Sequence, residues 1–132
     1  MDIPVVLDYN GDGSDDIVVF QPSEGRWRIR GMTTITFGSA GDIPVPGDYS
    51  GNGSKELAVY RPSTNLWIIR NITSYTVGDT ETYYSIPVPA DYNGDGTTDI
   101  GIFNAADGRW VIKDQTQVYF GGVVDFPVFG NP

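Results

Sequence analysis

The stretch IPVVLDYNGDGSDDIVVF at residues 3–20 decides the fold, because the chain contains three copies of it. The other copies are IPVPGDYSGNGSKELAVY at residues 43–60 and IPVPADYNGDGTTDIGIF at residues 86–103, so the steps between copies are 40 and 43 residues. Trp27, Trp67 and Trp110 follow the copies at the same steps. A period of about 20–50 residues is typical of tandem arrays in which each repeat folds as one supersecondary unit.

The period divides the chain into three complete repeats and the start of a fourth. The predicted ranges are 3–42, 43–85, 86–125 and 126–132. The last range opens with Phe126-Pro127-Val128, a copy of Ile3-Pro4-Val5, and is expected to form the first strand of a fourth repeat. The three additional residues of the second repeat are expected near Asp79–Tyr84, where the repeats align worst.

Each repeat is predicted to form four short strands. In the first repeat these strands are Pro4–Leu7, Ile17–Gln21, Arg26–Arg30 and Thr33–Phe37. Clusters of Asn, Gly, Asp, Pro and Ser between them are typical of turns, and no window has the length and apolar spacing of a helix. In the third strand Trp27 and Ile29 alternate with Arg28, which predicts one buried face and one solvated face.

An all-β chain of four-stranded repeats in tandem predicts the blades of a β-propeller. A blade buries its faces mainly against its neighbours, so Trp27, Trp67 and Trp110 are interpreted as packing between blades rather than as platforms for sugars. The competing fold is a β-sandwich of a dozen strands. A sandwich does not explain why the same residues recur at a fixed step.

The composition excludes several classes of function. The chain has no cysteine and no histidine, which rules out disulfides, zinc sites built on either residue and a Ser-His-Asp triad. Its net charge of −9 argues against partners such as nucleic acid or an anionic membrane. No apolar stretch approaches the roughly 18 residues that cross a bilayer. The first residues do not form a signal peptide, so the leader of an exported protein is expected to lie outside this chain.

The loop between the first two predicted strands has the oxygen spacing that calcium requires. Calcium takes about 6–8 oxygen ligands, and alternate residues of a tight loop point inward. Gly13 and Gly96 at position 6 permit a sharp bend, and Ser14 or Thr97 at position 7 would supply a backbone carbonyl. The oxygen-bearing side chains at positions 1, 3, 5 and 9 are Asp8, Asn10, Asp12 and Asp16 in the first repeat, and Asp91, Asn93, Asp95 and Asp99 in the third.

This loop differs from the EF-hand version of the same spacing. Val19 and Ile102 stand at position 12, where an EF-hand has a glutamate, and no helices are predicted beside the loop. We therefore expect a calcium loop between two strands, with its last carboxylate at position 9. The alternative is a plain hairpin turn, for which Asn-Gly-Asp-Gly is also suitable. Two matched nine-residue copies favour calcium.

The second loop is a weaker candidate. Its residues at the same positions are Asp48, Ser50, Asn52, Ser54 and Glu56. It has two carboxylates at ligand positions where the first loop has three, and Lys55 replaces Asp15. Because calcium affinity depends on ligand charge, we expect lower affinity in this loop, or none.

The loops and the strand that follows resemble the FG-GAP and VCBS repeat families. The resemblance is carried by Asp-Tyr-Asn-Gly-Asp-Gly-x-x-Asp followed by Ile-Val-Val-Phe, and by Phe37-Gly38 ahead of Ile43-Pro44-Val45. It implies a β-propeller like the integrin α head, with the calcium loop joining the first two strands of each blade. The metal ligands that it implies are Asp8, Asn10, Asp12, Ser14 and Asp16, and Asp91, Asn93, Asp95, Thr97 and Asp99.

The resemblance also implies a function. Members of these families are typically secreted or on cell surfaces, and serve in adhesion, as lectins or as modules of polysaccharide-active enzymes. We expect an extracellular, calcium-stabilised module that binds a glycan or a protein. The alternatives are a self-assembling surface or filament subunit and an ancillary module of a secreted polysaccharide-active enzyme. The chain itself is not expected to be an enzyme, because its dense carboxylates already serve calcium geometry.

The number of repeats predicts association between chains. Propellers of these families usually have about six to eight blades, and this chain has three complete repeats. Open ends expose sheet faces and unpaired strand edges, so we expect a homo-oligomer, either a dimer that completes a six-bladed ring or chains stacked end to end. A closed three-bladed unit is the runner-up. The tyrosines expected to be exposed and able to contact a glycan are Tyr75, Tyr83, Tyr84 and Tyr119.

Overall fold

A computed structural model describes residues 1–77, 85–121, 125 and 127–128. These residues contain twelve strands and no helix, which confirms the predicted all-β class. None of the described segments is therefore a helix long and apolar enough to cross a membrane.

The strands form three four-stranded antiparallel sheets, and strands adjacent in sequence are adjacent in each sheet. Sheet one contains β1 (Ile3–Leu7), β2 (Asp16–Gln21), β3 (Arg26–Ile29) and β4 (Thr33–Thr36). Sheet two contains β5 (Ile43–Pro44), β6 (Ala58–Arg61), β7 (Leu66–Ile69) and β8 (Thr73–Thr76). Sheet three contains β9 (Ser85–Pro87), β10 (Gly101–Asn104), β11 (Arg109–Ile112) and β12 (Thr116–Tyr119).

The strands of sheet one match the predicted strands within one residue at each end. The first strands of sheets two and three are shorter than β1. Pro46 and Pro89 stand where β1 has Val6, and proline has no N–H to donate to a ladder. Beyond the prolines, pairing continues only as isolated bridges, Gly47 with Glu56 and Ala90 with Asp99.

Each sheet has two different faces, set by the alternation of side chains along its strands. The tryptophan face carries Trp27 in sheet one, Trp67 in sheet two and Trp110 in sheet three. The opposite side is here called the back face. Its apolar positions hold Ile17 and Val19 in sheet one, Leu57, Val59 and Ile68 in sheet two, and Ile100, Ile102 and Val111 in sheet three.

The core lies between successive sheets, where a tryptophan face meets the next back face. The first cluster joins sheet one to sheet two and contains Leu7, Val18, Phe20, Trp27, Ile29, Leu57 and Val59. The second joins sheet two to sheet three and contains Val45, Ala58, Tyr60, Trp67, Ile69, Val77, Ile100 and Ile102. Sheets one and two thus each use the following sheet, rather than their own turns, to exclude water from their aromatic side chains.

The tryptophans confirm the packing interpretation for the two inner positions. Trp27 and Trp67 are fully buried, and Trp110 is half-buried. The Nε1–H of Trp27 donates to the carbonyl of Phe37 at 2.9 Å, and that of Trp110 donates to the carbonyl of Phe120 at 2.9 Å. Trp110 makes the same local bond but has no further sheet against it among the described residues.

A buried ion pair fixes the connection between sheets one and two. The Asp42 carboxylate is fully buried and accepts bonds from Arg61 Nε at 2.8 Å and Nη2 at 2.9 Å. It also accepts the backbone N–H of Ser39 at 2.8 Å. Two parallel bonds between a guanidinium and a carboxylate hold both groups in one geometry, so the connection cannot shift along β6.

Sheet one ends at Thr36 and sheet two begins at Ile43, whereas β9 begins at Ser85, one residue before the start of the predicted third repeat. Two predictions concern residues outside the described part of the chain. These are the insertion near Asp79–Tyr84, with Tyr83 and Tyr84, and most of the fourth-repeat strand at residues 126–132, of which only Pro127 and Val128 are described.

Replacement of Trp27 by alanine should destabilise the protein by about 3–5 kcal/mol, the usual cost of deleting a buried tryptophan. Trp110→Ala is the matched control, because Trp110 makes the same indole hydrogen bond on a face without a further described sheet. Its cost should be clearly smaller. Urea unfolding of both variants measures the difference, and equal costs would contradict the assignment of the core to the space between sheets.

Candidate metal centre

The three loops predicted to bind calcium share one backbone conformation. They connect β1 to β2, β5 to β6 and β9 to β10. In all three, the glycines at positions 4 and 6 have positive φ, a conformation that residues with a Cβ rarely adopt. The φ values are 77° and 89° for Gly11 and Gly13, 75° and 90° for Gly51 and Gly53, and 77° and 87° for Gly94 and Gly96.

The aspartate at position 1 organises each loop through its carboxylate. Asp8 Oδ1 accepts the backbone N–H groups of Gly11 at 2.7 Å and Asp12 at 3.2 Å, and Oδ2 accepts that of Gly13 at 2.9 Å. Asp48 and Asp91 make the same three bonds at 2.7–3.1 Å. The chain therefore folds around this carboxylate, which satisfies donors that a loop would otherwise expose.

The carboxylate at position 9 closes the first and third loops in the same way. Asp16 Oδ2 accepts the N–H of Tyr9 at 2.9 Å, and Asp99 Oδ2 accepts that of Tyr92 at 2.8 Å. In the second loop Glu56 Oε1 instead accepts the N–H of Ser50 at 2.8 Å, one residue further along. The longer side chain at position 9 thus changes the closure of the weaker candidate.

The side chains at positions 3 and 5 face the interior of their own turn. Asn10 Oδ1 accepts the N–H of Asp12 at 3.1 Å, and Asp12 Oδ1 accepts that of Ser14 at 2.8 Å. In the third loop Asp95 Oδ1 accepts both the hydroxyl of Thr97 at 2.6 Å and its N–H at 2.9 Å. These bonds, that of the hydroxyl above all, lower the pKa of the Asp95 carboxyl, because they stabilise its charged form.

The loops offer the oxygen donors and the tight turn that calcium sites use, although their carboxylates do not converge on one point. Among the described residues, no group of three or more His, Cys, Asp or Glu side chains is placed to hold a metal ion. The bonds above explain this, because the carboxylates are turned toward backbone N–H groups. Asp12 and Asp16 each use one oxygen in these bonds, and a carboxylate has about four acceptor sites.

The three loops stack along one edge of the molecule. The N–H of Lys55 donates to the carbonyl of Asp8 at 3.1 Å, and the N–H of Thr98 donates to the carbonyl of Asp48 at 2.8 Å. A Cβ at Gly11 would meet the Ser54 side chain of the next loop, and one at Gly51 would meet the Thr97 side chain, so either would have to displace that side chain. Each candidate site is therefore in contact with the one that follows it.

The tyrosine after the first aspartate has a role that sequence reasoning missed. The hydroxyl of Tyr49 donates to the carbonyl of Val45 at 2.6 Å and accepts the Nε1–H of Trp67 at 3.1 Å. The hydroxyl of Tyr92 donates to the carbonyl of Val88 at 2.7 Å. The tyrosine ties the start of the loop to the strand before it, and recurrence of the Asp-Tyr pair was the available signal.

Burial strongly affects these hydroxyls. It raises the pKa of Tyr49 well above its usual value, and, together with the charge of Asp99, it raises the pKa of Tyr92 to about 12. Burial disfavours the ionised phenolate in both cases. Two of the tyrosines predicted to contact a glycan are at the surface: Tyr75 is partly exposed beneath the Lys113 ammonium, and Tyr119 is exposed.

Comparison of the chain with protein-family profiles, with curated proteins and with solved structures found no match. The resemblance to FG-GAP and VCBS repeats therefore stays a prediction from the residues.

The raised pKa of Tyr49 predicts how stability depends on pH. Above about pH 10 the unfolded chain releases the Tyr49 proton while the folded chain keeps it, so the free energy of unfolding should fall as pH rises. Tyr49→Phe should cost about 1–2 kcal/mol at neutral pH, because it removes two hydrogen bonds, and should flatten the decline above pH 10. Denaturant unfolding between pH 7 and 11 measures both effects.

Tyr119→Phe is the control, since it removes a hydroxyl from an exposed ring. It should leave stability within about 0.5 kcal/mol of the parent chain. An unchanged alkaline slope in Tyr49→Phe would show that the buried hydroxyl does not hold its proton as inferred.

Proposed function

We propose that the chain is a calcium-stabilised, β-propeller-type binding or adhesion module that works outside the cell. The observation that supports it most is the row of three stacked loops with one shared hydrogen-bond pattern and with oxygen donors at matching positions. Hard oxygen donors on alternate residues, with glycine at the sixth position, are what a protein uses to bind calcium.

Two loops carry the proposed sites. The first would hold the ion with Asp8, Asn10, Asp12, Ser14 and Asp16, and the third with Asp91, Asn93, Asp95, Thr97 and Asp99. Bound calcium would supply positive charge among carboxylates that otherwise repel one another. The loop joins the first two strands of its sheet, so a filled site would tie those strands together and stiffen the sheet.

The second loop is assigned a weaker site or none. Asp48, Ser50, Asn52, Ser54 and Glu56 include fewer carboxylates, and Glu56 closes the loop differently from Asp16 and Asp99. The Lys55 side chain adds a positive charge to the same loop. Both differences reduce the attraction for a divalent cation.

The proposed partner is a glycan or a protein. Loops and exposed aromatic rings on a rigid sheet scaffold are suited to recognition, and Tyr119 offers such a ring. A calcium affinity of about 10⁻⁴–10⁻³ M, the range of extracellular modules, would suit the proposed location outside the cell. Binding to a glycan array in calcium, and its loss in chelator, would test this part.

Calorimetric titration of the chelator-treated protein tests the calcium sites. We expect about two equivalents of Ca²⁺ per chain. Calcium at 100 times its Kd should add about 2.7 kcal/mol per site to the free energy of unfolding. Asp12→Asn and Asp95→Asn should each weaken one site by on the order of tenfold, because each removes one ligand charge.

The matched control is Asp107→Asn, which removes the same charge from the turn between β10 and β11. It should leave both sites unchanged. Three equivalents would show that Glu56 suffices for the second loop. No heat and no thermal shift would reduce all three loops to turns and would remove the main support for the proposal.

A further inference from the structure

The back face of sheet one is apolar and open. Ile17 is 60% exposed, whereas its equivalents in the next two sheets, Leu57 and Ile100, are 2% and 6% exposed. Val6, on the neighbouring strand, is also exposed. Position for position, this is the surface that sheets two and three bury against the sheet before them.

The tryptophan face of sheet three is exposed along its outer strand, although Phe103 and Ile112 on the same face are buried. Phe120 is 80% exposed, whereas Val77, its equivalent in sheet two, is 4% exposed. Val118, which pairs with Trp110 across β11 and β12, is about half exposed. The back face of sheet one and the outer-strand part of the tryptophan face of sheet three are therefore exposed counterparts of two surfaces that the chain packs against each other twice.

Among the described residues, the third loop lacks the contact that the first two loops make with the loop that follows each of them. Gly11 and Gly51 are touched by Ser54 and Thr97 of the following loop, whereas Gly94 in the third loop has no described atom within 4 Å of where its Cβ would lie. The equivalent of Ser54 and Thr97 in the first loop is Ser14. A sheet-one back face placed against sheet three would bring Ser14 to Gly94.

We propose that the tryptophan face of sheet three docks head to tail onto the back face of sheet one in a second copy of this chain. The contact repeats the internal interfaces and does not depend on the proposed calcium sites. A head-to-tail contact closes into a ring when the rotation allows and otherwise continues as a filament.

The two ends of the array carry opposite charges. Arg28 and Arg30 lie on the exposed back face of sheet one, and the exposed carboxylate of Asp125 lines the depression formed by Trp110 and Phe120 on sheet three. Opposite charges on the two surfaces favour the encounter of two copies. No ion pair equivalent to Asp42–Arg61 forms in the proposed contact, because Gln21 stands at the position of Arg61.

Two features weaken the contact and make it reversible. Arg28 occupies the position of Ile68 and Val111, so a charged side chain must lie along the interface with its head at the rim. Asp125 also lies where Asp42 lies in the connection to sheet two. A Cβ at Gly121 would lie 3.2 Å from Asp125, as one at Gly38 would from Asp42. Asp125 must therefore move aside for the incoming β1.

Two surface variants and their mixture test the proposal. Val118→Asp blocks the receiving face, and Ile17→Asp blocks the incoming face. Both side chains are exposed, so the fold should be kept, and circular dichroism checks this. By sedimentation, the parent chain should associate with rising concentration in calcium and in chelator alike. Each variant alone should be monomeric, and a 1:1 mixture should form a dimer through its one intact pair of faces.

Arg28→Ile provides the gain-of-function arm. It places an apolar residue at this position, as in the other two sheets. Because more apolar surface would be buried in the contact, the dissociation constant should fall by on the order of tenfold. The proposal would be overturned if the parent chain sediments as a monomer at all concentrations and Arg28→Ile does not associate more strongly. Dimers of either variant alone would also overturn it, because they would show that like faces pair. If either aspartate variant fails to fold, Val118→Lys or Ile17→Lys replaces it.

Discussion

The architecture depends on the burial of one sheet's tryptophan under the back face of the next. A four-stranded sheet of about 35 residues is too small to enclose an aromatic core by itself. Trp27 and Trp67 become fully buried because a second sheet covers them, while Trp110 stays half-buried. The similarity of the repeats follows from this constraint, since a sheet with a neighbour on each side must present both a tryptophan face and a matching back face.

The loops obey a separate, polar constraint. The same carboxylates that could bind an ion also hold the loop by accepting backbone N–H groups, with Asp8, Asp48 and Asp91 each taking three. Loop shape and proposed binding therefore share residues. A substitution at position 1 would remove three bonds to the loop backbone, whereas one at position 5 would affect a single backbone N–H in the first and third loops.

Much of the fold could be predicted from the repeat, and less of the site. The alternation of Trp27, Arg28 and Ile29 foretold which side chains are buried, because a strand has only two faces. The pairing of Asp42 with Arg61 could not be foreseen, since it joins residues that only the folded connection brings together. The orientation of the loop carboxylates could not be predicted either. The spacing shows which residues share a loop, but not which N–H groups their oxygens accept.

Because sheet two lies between the other two sheets, its strand β6 should be difficult to expose to solvent. Ala58, Val59 and Tyr60 in β6 are all fully buried, whereas buried and more exposed residues alternate along β2, and β10 is buried at all four residues. Opening β6 to solvent requires separation from both neighbouring sheets, while β1 and β12 lie in sheets with one described neighbour each. Amide hydrogens should therefore exchange more slowly in β6 than in the outer strands β1 and β12.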